Sequence, residues 1–299
     1  DFFLIAEKTP GYAPLMAVAE DRNGEVHAHL LALICRHGRL FPPYLYTHGR
    51  VYGEGEYAPG EDRELLFSMM LKAVTQKFNH KLCLYIEFSD ISNKMFAYRH
   101  FRQNGYFPIP WQEIHNSLHS LPPEKRISEK ALSKIETAEK HGVYTREAES
   151  EKELGAFYKQ LRSYFRFKTR RSIPHRKMFS MLNSEGDSKT FVTIYKNKII
   201  GGCVCLYSGK NAYMWYLASK RKTYIHLSPA SITVWAAIKY AYTHGYEHIY
   251  FLDAGLPFRN NPFREFILSF GGKPVSKYRW FRLPVPYINR FLSWCYNDK

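Results

Sequence analysis

Apolar and β-branched residues fill two short runs at 191–195 and 199–206, separated by Lys196-Asn197-Lys198, and the turn Ser208-Gly209-Lys210-Asn211 leads into a third at 212–218. Such runs with polar, Gly-containing breaks predict an antiparallel meander of three strands. Ser228-Pro229 reads as an N-cap followed by a first-turn proline, after which Ile232, Trp235, Ile238 and Tyr242 recur at helical spacing until Gly245 ends the pattern. Residues 248–252 then form a short apolar strand ending at Asp253, 262–270 a second helix closed by Gly271-Gly272, and 275–283 a final strand. A strand that follows a helix in the same sheet pairs most simply in parallel, through a right-handed crossover. The expected sheet is therefore mixed. Where its pairing changes from antiparallel to parallel the strands splay, beside a helix N-terminus whose unpaired N–H groups suit an anion.

The first half repeats this plan less regularly. Runs at 15–20, 26–35 and 40–46 predict a meander, 62–78 a helix, 82–88 a strand ending near Asp90, 93–103 a helix stopped at Asn104-Gly105, and 106–118 a closing strand or hairpin. Phe101-Arg102-Gln103-Asn104-Gly105-Tyr106 takes the place that Ile267-Leu268-Ser269-Phe270-Gly271-Gly272 takes in the second half, which reads as an internal duplication. Between the halves lie a proline-containing linker at 120–126, a charged helix at 128–140 ended by Gly142, and a capping box, Ser150 with Glu153, that starts another helix. The expected organisation is α/β (α+β), with an N-terminal domain over 1–125 and a C-terminal domain over 126–299 that includes a basic helical connector at about 128–185. Each domain is expected to be a mixed, mostly antiparallel sheet flanked by helices.

Charge narrows the partners. The 299 residues carry 43 Lys and Arg against 27 Asp and Glu, a net charge of +16, which selects an anionic substrate such as CoA, a nucleotide-sugar or tRNA, or an acidic membrane face, and DNA is not expected. The run 162–177 holds seven Lys and Arg and no acid, interleaved with Tyr164, Phe165 and Phe167; it reads equally as a phosphate-binding surface and as a solvated connector. Lys220-Arg221-Lys222 is better placed, just before the Ser228 helix start, as the expected cradle for a pyrophosphate, and His226 beside it reads as part of that cradle, as a base or as a surface histidine. The five cysteines are odd in number, and Cys203 and Cys205 share one strand face without a second pair, so buried thiols are expected rather than disulfides or a metal site. No apolar run approaches the roughly 18 residues of a membrane span and no signal peptide is visible, which points to the cytoplasm, extending to the inner face of a membrane if the aromatic tail 284–299 touches lipid. The motifs G-x-S-x-G, H-E-x-x-H, G-x-x-x-x-G-K-[ST] and a strand-borne G-x-G-x-x-G are missing, which leaves hydrolase, zincin, P-loop and Rossmann readings without an anchor.

The strand-helix-strand order resembles the GNAT N-acetyltransferase fold, and the duplicated form with a basic connector resembles the Fem family, which builds peptidoglycan interpeptide bridges. Ile200-Gly201-Gly202, Pro229 with Ala241 to Gly245, Asp253-Ala254-Gly255, and Phe266 to Gly271 stand where that family has its glycine-containing strand, its proline-started helix, its Asp-ended strand and its F-K-x-x-F-G box. The resemblance implies transfer of an acyl or aminoacyl group from a thioester or ester carrier, acyl-CoA or aminoacyl-tRNA, to an amine of an anionic acceptor, with no tightly bound cofactor. It also implies that Arg170 and Arg176, six apart before Phe179, grip a phosphate-bearing substrate. The box departs from the family at Ile267, where a lysine stabilises charge in acyl transfer, and Arg264, about one turn earlier, is the expected replacement. The GNAT pyrophosphate loop R/Q-x-x-G-x-G/A is absent from both halves.

Backbone N–H groups around Tyr213 to Tyr216 are the expected oxyanion donors, and Trp215 and Tyr278 are expected to line the cleft. Asp253 reads either as a base or as a cap for the following turn. A second reading is a binding module that has lost catalysis and keeps the basic cleft for a nucleotide-sugar or RNA; a third is an acyl-CoA-dependent transferase acting on a lipid or sugar amine. The sequence does not specify the oligomeric state.

Overall fold

The computed structural model describes residues 2–39, 44–166 and 173–297. The chain divides into two compact units, Asp1–Trp111 with Ser276–Lys299, and Gln112–Val275.

In the first unit a short helix α1 (Phe2–Glu7) precedes strands β1 (Tyr12–Glu20), β2 (Val26–Arg39) and β3 (Tyr44–Tyr52), a two-residue β4 (Glu56–Tyr57), helix α2 (Arg63–His80), β5 (Ile86–Ser89) and α3 (Tyr98–Gln103). The β1–β2 turn closes because the Asp21 carboxylate accepts from the N–H groups of Asn23 and Glu25. β1, β2 and β3 pair antiparallel, and β5 joins β3 in parallel after the α2 crossover. Asp62 caps α2, which buries Phe67, Leu71, Val74 and Phe78 on the sheet. Gly49 makes room for the Phe78 ring, which a Cβ would meet at 2.6 Å.

β6 (Phe107–Ser117) carries the chain into the second unit. There follow α4 (Glu129–Lys140), β7 (Tyr144–Glu147), α5 (Glu151–Phe165), α6 (Arg176–Glu185), β8 (Ser188–Tyr195), β9 (Lys198–Ser208), β10 (Asn211–Ser219), α7 (Pro229–Thr243), β11 (His248–Gly255) and α8 (Pro262–Leu268). The strand order from β6 is β6-β11-β10-β9-β8-β7, antiparallel throughout except for the parallel β10–β11 pair. Both faces are covered. Ile232, Val234 and Ile238 of α7 and Ile135 of α4 pack with Ile200, Cys203 and Cys205 on one side, while Phe157 and Leu161 of α5 and Phe179 of α6 pack with Val192, Val204 and Tyr216 on the other. Gly201 and Gly202 let both layers approach β9: a Cβ on Gly201 would lie 3.1 Å from Thr233 Oγ1 of α7, and one on Gly202 would lie 2.7 Å from the Phe157 ring.

β12 (Lys273–Arg282) returns the chain to the first unit and α9 (Pro286–Asn297) ends it. The expected mixed, mostly antiparallel sheets flanked by helices are present, but their closing strands are exchanged. β12, expected to close the second half, pairs antiparallel with β5, and β6, expected to close the first, pairs antiparallel with β11. Aromatic packing accounts for the placement of β12: Trp280 is fully buried in the first unit and stacks on Phe101 at 4.5 Å and 6°. The division by contacts thus differs from one at residue 125. The expected connector also holds more regular structure than a basic spacer, since β7 extends the sheet beside β8 and α6 buries Met178, Phe179 and Leu182.

Candidate functional site

The change of pairing in the second unit is where the sequence placed it. The parallel β10–β11 ladder runs from Asn211–His248 to Met214–Phe251. At the same point β10 shifts register against β9, Met214 facing Cys205 and Tyr216 facing Val204, so Trp215 is an inserted residue. The bulge turns the strand over: Ala212 and Met214 pack toward α7, whereas beyond it Leu217 does so and Trp215 and Tyr216 pack toward α5 and α6.

A cavity of about 370 Å³ opens beside the end of β10, lined by Leu217 and Ser219, by Arg221 and Lys222 of the following loop, by Ser228 to Ser231 at the start of α7, and by Phe263 and Phe266 of α8. Its chemistry is divided. Arg221 and Lys222 are exposed cations next to the N-terminal turn of a fifteen-residue helix, and Leu217, Pro229, Phe263 and Phe266 supply an apolar wall. That combination suits a ligand with an anionic head and an apolar or weakly polar body.

The α7 N-terminus is held by a threonine relay rather than by a cap. Ser228 has φ +41° and makes no side-chain capping bond, because the chain enters α7 from the tight turn Ile225–Leu227, so the expected N-cap does not form. Inside the first turn, Thr233 Oγ1 donates to Pro229 O at 2.6 Å and also bonds Thr193 Oγ1, which in turn bonds Thr145 Oγ1 at 2.8 Å. One end of the cavity is thus tied through α7 to β8 and β7.

The remaining expected site residues are dispersed. Lys220 lines a different cavity of about 620 Å³, with Arg146, Lys152, Gln160 and Lys198. His226 is exposed in the Ile225–Leu227 turn and does not line the cavity beside it. Arg176, at the first position of α6, pairs with Glu151 at 3.1 Å and lines a basic groove of about 550 Å³ together with Lys159, Arg162, His175 and Lys177. Arg170 lies outside the described residues. Tyr213 packs on Tyr250 at 5.1 Å, and Asp253 lies in the irregular stretch of β11 where Phe251 faces Ile114 and Gly255 faces Gln112. Tyr278 belongs to the first unit, beside Tyr98 and Trp280 and under the Lys94 ammonium at 4.4 Å, and is not among the residues that line the cavity. Ile267 is fully buried in the core.

Arg264 is a brace. Its Nη1 donates to Gln112 Oε1 at 2.6 Å and to Leu256 O at 3.1 Å, and its Nη2 donates to Arg259 O at 3.0 Å. The guanidinium pins the loop that follows β11 to the β6 strand. Asn261 supports the same loop, donating to Ala254 O at 2.7 Å while its side-chain oxygen caps α8 at Phe263 N. Sequence reasoning also missed a polar row, Glu113–His115 at 3.0 Å with Tyr250 against the His115 ring, where burial and then the Glu113 carboxylate raise the Tyr250 phenol above its ordinary range. The alternating Glu113-Ile114-His115 of a half-buried strand was the available signal. Cys203 and Cys205 point into the core with sulfurs 4.0 Å apart, and burial pushes the Cys203 thiol well above its usual range, which disqualifies it as a nucleophile at neutral pH.

In the first unit the place that corresponds to this site, beyond the parallel β3–β5 ladder, holds the side chain of Glu54. Glu54 is buried and accepts from Arg63 Nη2 at 2.8 Å, from Ser92 N at 2.7 Å and from Ser92 Oγ at 2.6 Å. An anionic ligand would have to displace a well-satisfied internal anion there.

Residues 125–260 match the family model for the acetyltransferase (GNAT) domain. A search of curated proteins returns no match. Among solved structures, FemX superposes with a TM-score of 0.63 at 12% identity over 97% of this chain and 97% of that one. A tandem GNAT protein from the clavulanic acid biosynthesis pathway gives 0.64 at 12% identity, over 93% and 85% of the two chains. L-PGS from Bacillus licheniformis gives 0.62 at 12% identity, over 99% and 96%. The fold is therefore that of the tandem GNAT proteins, in line with the resemblance read from the sequence, and no helix among the described residues is long and apolar enough to cross a membrane.

Proposed function

We propose that this tandem GNAT-fold chain is an N-acyltransferase of the Fem-like class, moving an acyl or aminoacyl group from a thioester or ester carrier to an amine of an anionic acceptor. The observation that carries the reading is the cavity of about 370 Å³ between the end of β10 and the starts of α7 and α8, which sets Arg221, Lys222 and the α7 N-terminus against an apolar wall. Arg221 and Lys222 hold the donor's phosphates there, and Leu217, Phe263 and Phe266 receive its acyl arm. The bulge at Trp215 sets the donor carbonyl against strand N–H groups of β10, which stabilise the oxyanion as the amine attacks. As the C–N bond forms, the thioester or ester bond breaks, the carrier leaves with the electron pair, and the amine gives up a proton.

Support for placing the donor in the second unit comes from Glu54, whose buried carboxyl occupies the corresponding place in the first. Support for a carrier other than a conventionally wrapped CoA comes from the missing pyrophosphate-loop glycines. The burial of Ile267 favours a second reading, a binding module without catalysis, because that position sends no cation toward a substrate.

Calorimetric titration of acetyl-CoA and of a charged-tRNA 3′-end analogue tests the proposal. One of them should bind, and the double variant Arg221→Ala/Lys222→Ala should weaken it roughly 10–100-fold at unchanged melting temperature, since both side chains are exposed. Binding without turnover supports the non-catalytic module, and binding unaffected by the double variant moves the donor elsewhere.

A further inference from the structure

We propose that one end of the first unit is a docking surface for an anionic lipid bilayer, independent of the chemistry assigned to the second unit. Four segments meet there. Leu84 N donates to Thr47 O at 2.7 Å and Thr47 Oγ1 to Leu82 O at 3.2 Å, which sets the loop after α2 against the start of β3. Arg282 closes the same end, its Nε donating to Asn104 O at 3.0 Å and its Nη1 to Asn79 Oδ1 at 2.9 Å. The chain then turns directly into α9.

α9 is fixed by its polar side. Asn289 accepts from Leu283 N at 2.9 Å and donates to Gly105 O at 2.8 Å, Arg102 reaches Ser293 Oγ at 3.4 Å, and Tyr296 lies on Phe107 at 6.4 Å. With that side held, the helix turns its aromatic side outward: Tyr287 is 83% exposed, Phe291 60% and Trp294 65%, with Ile288 and Val285 beside them. The neighbouring loops add Leu82, 85% exposed and held at φ +50°, with Leu84, and the start of β3 adds Leu45, 71% exposed. Isolated apolar residues are ordinary on a surface, whereas eight converging on one end of one unit make a patch that marks a contact.

Charge complementarity decides the occupant. The segments that build this end, 44–47, 77–85, 100–105 and 282–297, contain Lys77, Lys81, Arg102, Arg282 and Arg290 and no Asp or Glu. Lys77, Lys81, Arg102 and Arg290 are exposed. Trp, Tyr and Phe on the outer face of a short helix, ringed by cations, match the boundary between lipid headgroups and acyl chains, where an aromatic body inserts and the cations meet anionic headgroups. An apolar protein interface would not require the acids to be excluded.

Vesicle flotation of the full chain tests this, using phosphatidylcholine alone and phosphatidylcholine with one-quarter phosphatidylglycerol. Binding should be at least 10-fold stronger to the anionic vesicles and should fall as salt is raised from 50 to 500 mM. Phe291→Glu/Trp294→Glu should lower it at least 10-fold at unchanged melting temperature, and Leu82→Glu, on a separate segment, should lower it by a smaller factor. Three results overturn the proposal: no partitioning to anionic vesicles, equal partitioning of the aromatic double variant, or a lipid-independent dimer that the same double variant dissociates, which would assign the patch to a second copy of the chain.

Discussion

Replacing Thr233 by valine should cost about 2–3 kcal/mol, and replacing Thr193 only about 1. Direction in the relay dictates the difference. Thr233 Oγ1 spends its one hydrogen on Pro229 O, so it can only accept from Thr193, and Thr193, having donated to Thr233, can only accept from Thr145. Thr233→Val keeps the volume but removes both the bond to Pro229 O and the acceptor for a fully buried Thr193 hydroxyl, so two bonds of about 0.5–1.5 kcal/mol are lost and a donor is stranded at about 1–3. Reorientation of Thr193 toward Thr145, which is only half-buried and can turn to water, recovers part of that loss. Thr193→Val leaves Thr233 bonded to Pro229 O and releases Thr145 to solvent. In the double variant no buried hydroxyl is stranded, so its cost should fall below the sum of the single costs by about 1 kcal/mol. Urea unfolding of the four proteins measures these differences. Equal single-variant costs, or strict additivity, would falsify the assigned direction. Because the same helix start lines the cavity, Thr233→Val should also weaken donor binding more than Thr193→Val does.

Arg264→Ala should lower the melting temperature by several degrees, with transfer activity falling alongside it, because three acceptors lose their donor; a drop in turnover at unchanged melting would instead make Arg264 a catalytic cation. His48 is buried between His37 and Tyr85, and burial, then the neighbouring His37 and Arg50, push it down to about 3 from an ordinary value of 6.5. Since the unfolded chain then binds the extra proton, stability is fully present above pH 6.5 and is lost as pH falls toward 3, by about 1.4 kcal/mol per unit. His48→Phe, which keeps the stacked ring, should therefore flatten the acid limb of the stability profile between pH 6.5 and 4.5, and an unchanged limb would mean that other groups set it.

Local pattern carried most of the fold because periodicity and turn chemistry report local structure. The 191–218 meander, the Pro229 helix and the β10–β11 change of pairing follow from apolar runs, Gly turns and a first-turn proline, all of which act within a few residues. The exchange of β6 and β12 was not legible, because alternation gives a strand two faces without naming its neighbours. Trp280 settles on Phe101 through a contact 179 residues away in sequence. Within the site, Arg221, Lys222 and Ser228 were placed together by their nearness to a helix start, while Lys220, one residue away, faces another cavity because the chain turns there, Thr223 N and Tyr224 N both donating to Lys220 O. Arg264 was read as a free cation because sequence shows a charge and not the carbonyls around it. α6 was missed although Met178, Phe179 and Leu182 stand at helical spacing just after Pro174, since the surrounding basic run drew the reading toward a solvated connector.

The second unit is one uninterrupted stretch, inserted between residues 111 and 276 of a first unit that is completed only by β12 and α9. Order of synthesis and order of folding therefore run against each other. As the chain leaves the ribosome, residues 1–111 emerge first yet lack the strand that buries Trp280 against Phe101, and β5 waits with an unpaired edge while the next 164 residues are made and folded. The segment translated second is the first that can finish. Over that interval the N-terminal segment is the part of the nascent protein exposed to aggregation, and cutting the chain at the apparent midpoint of the duplication would make that transient state permanent.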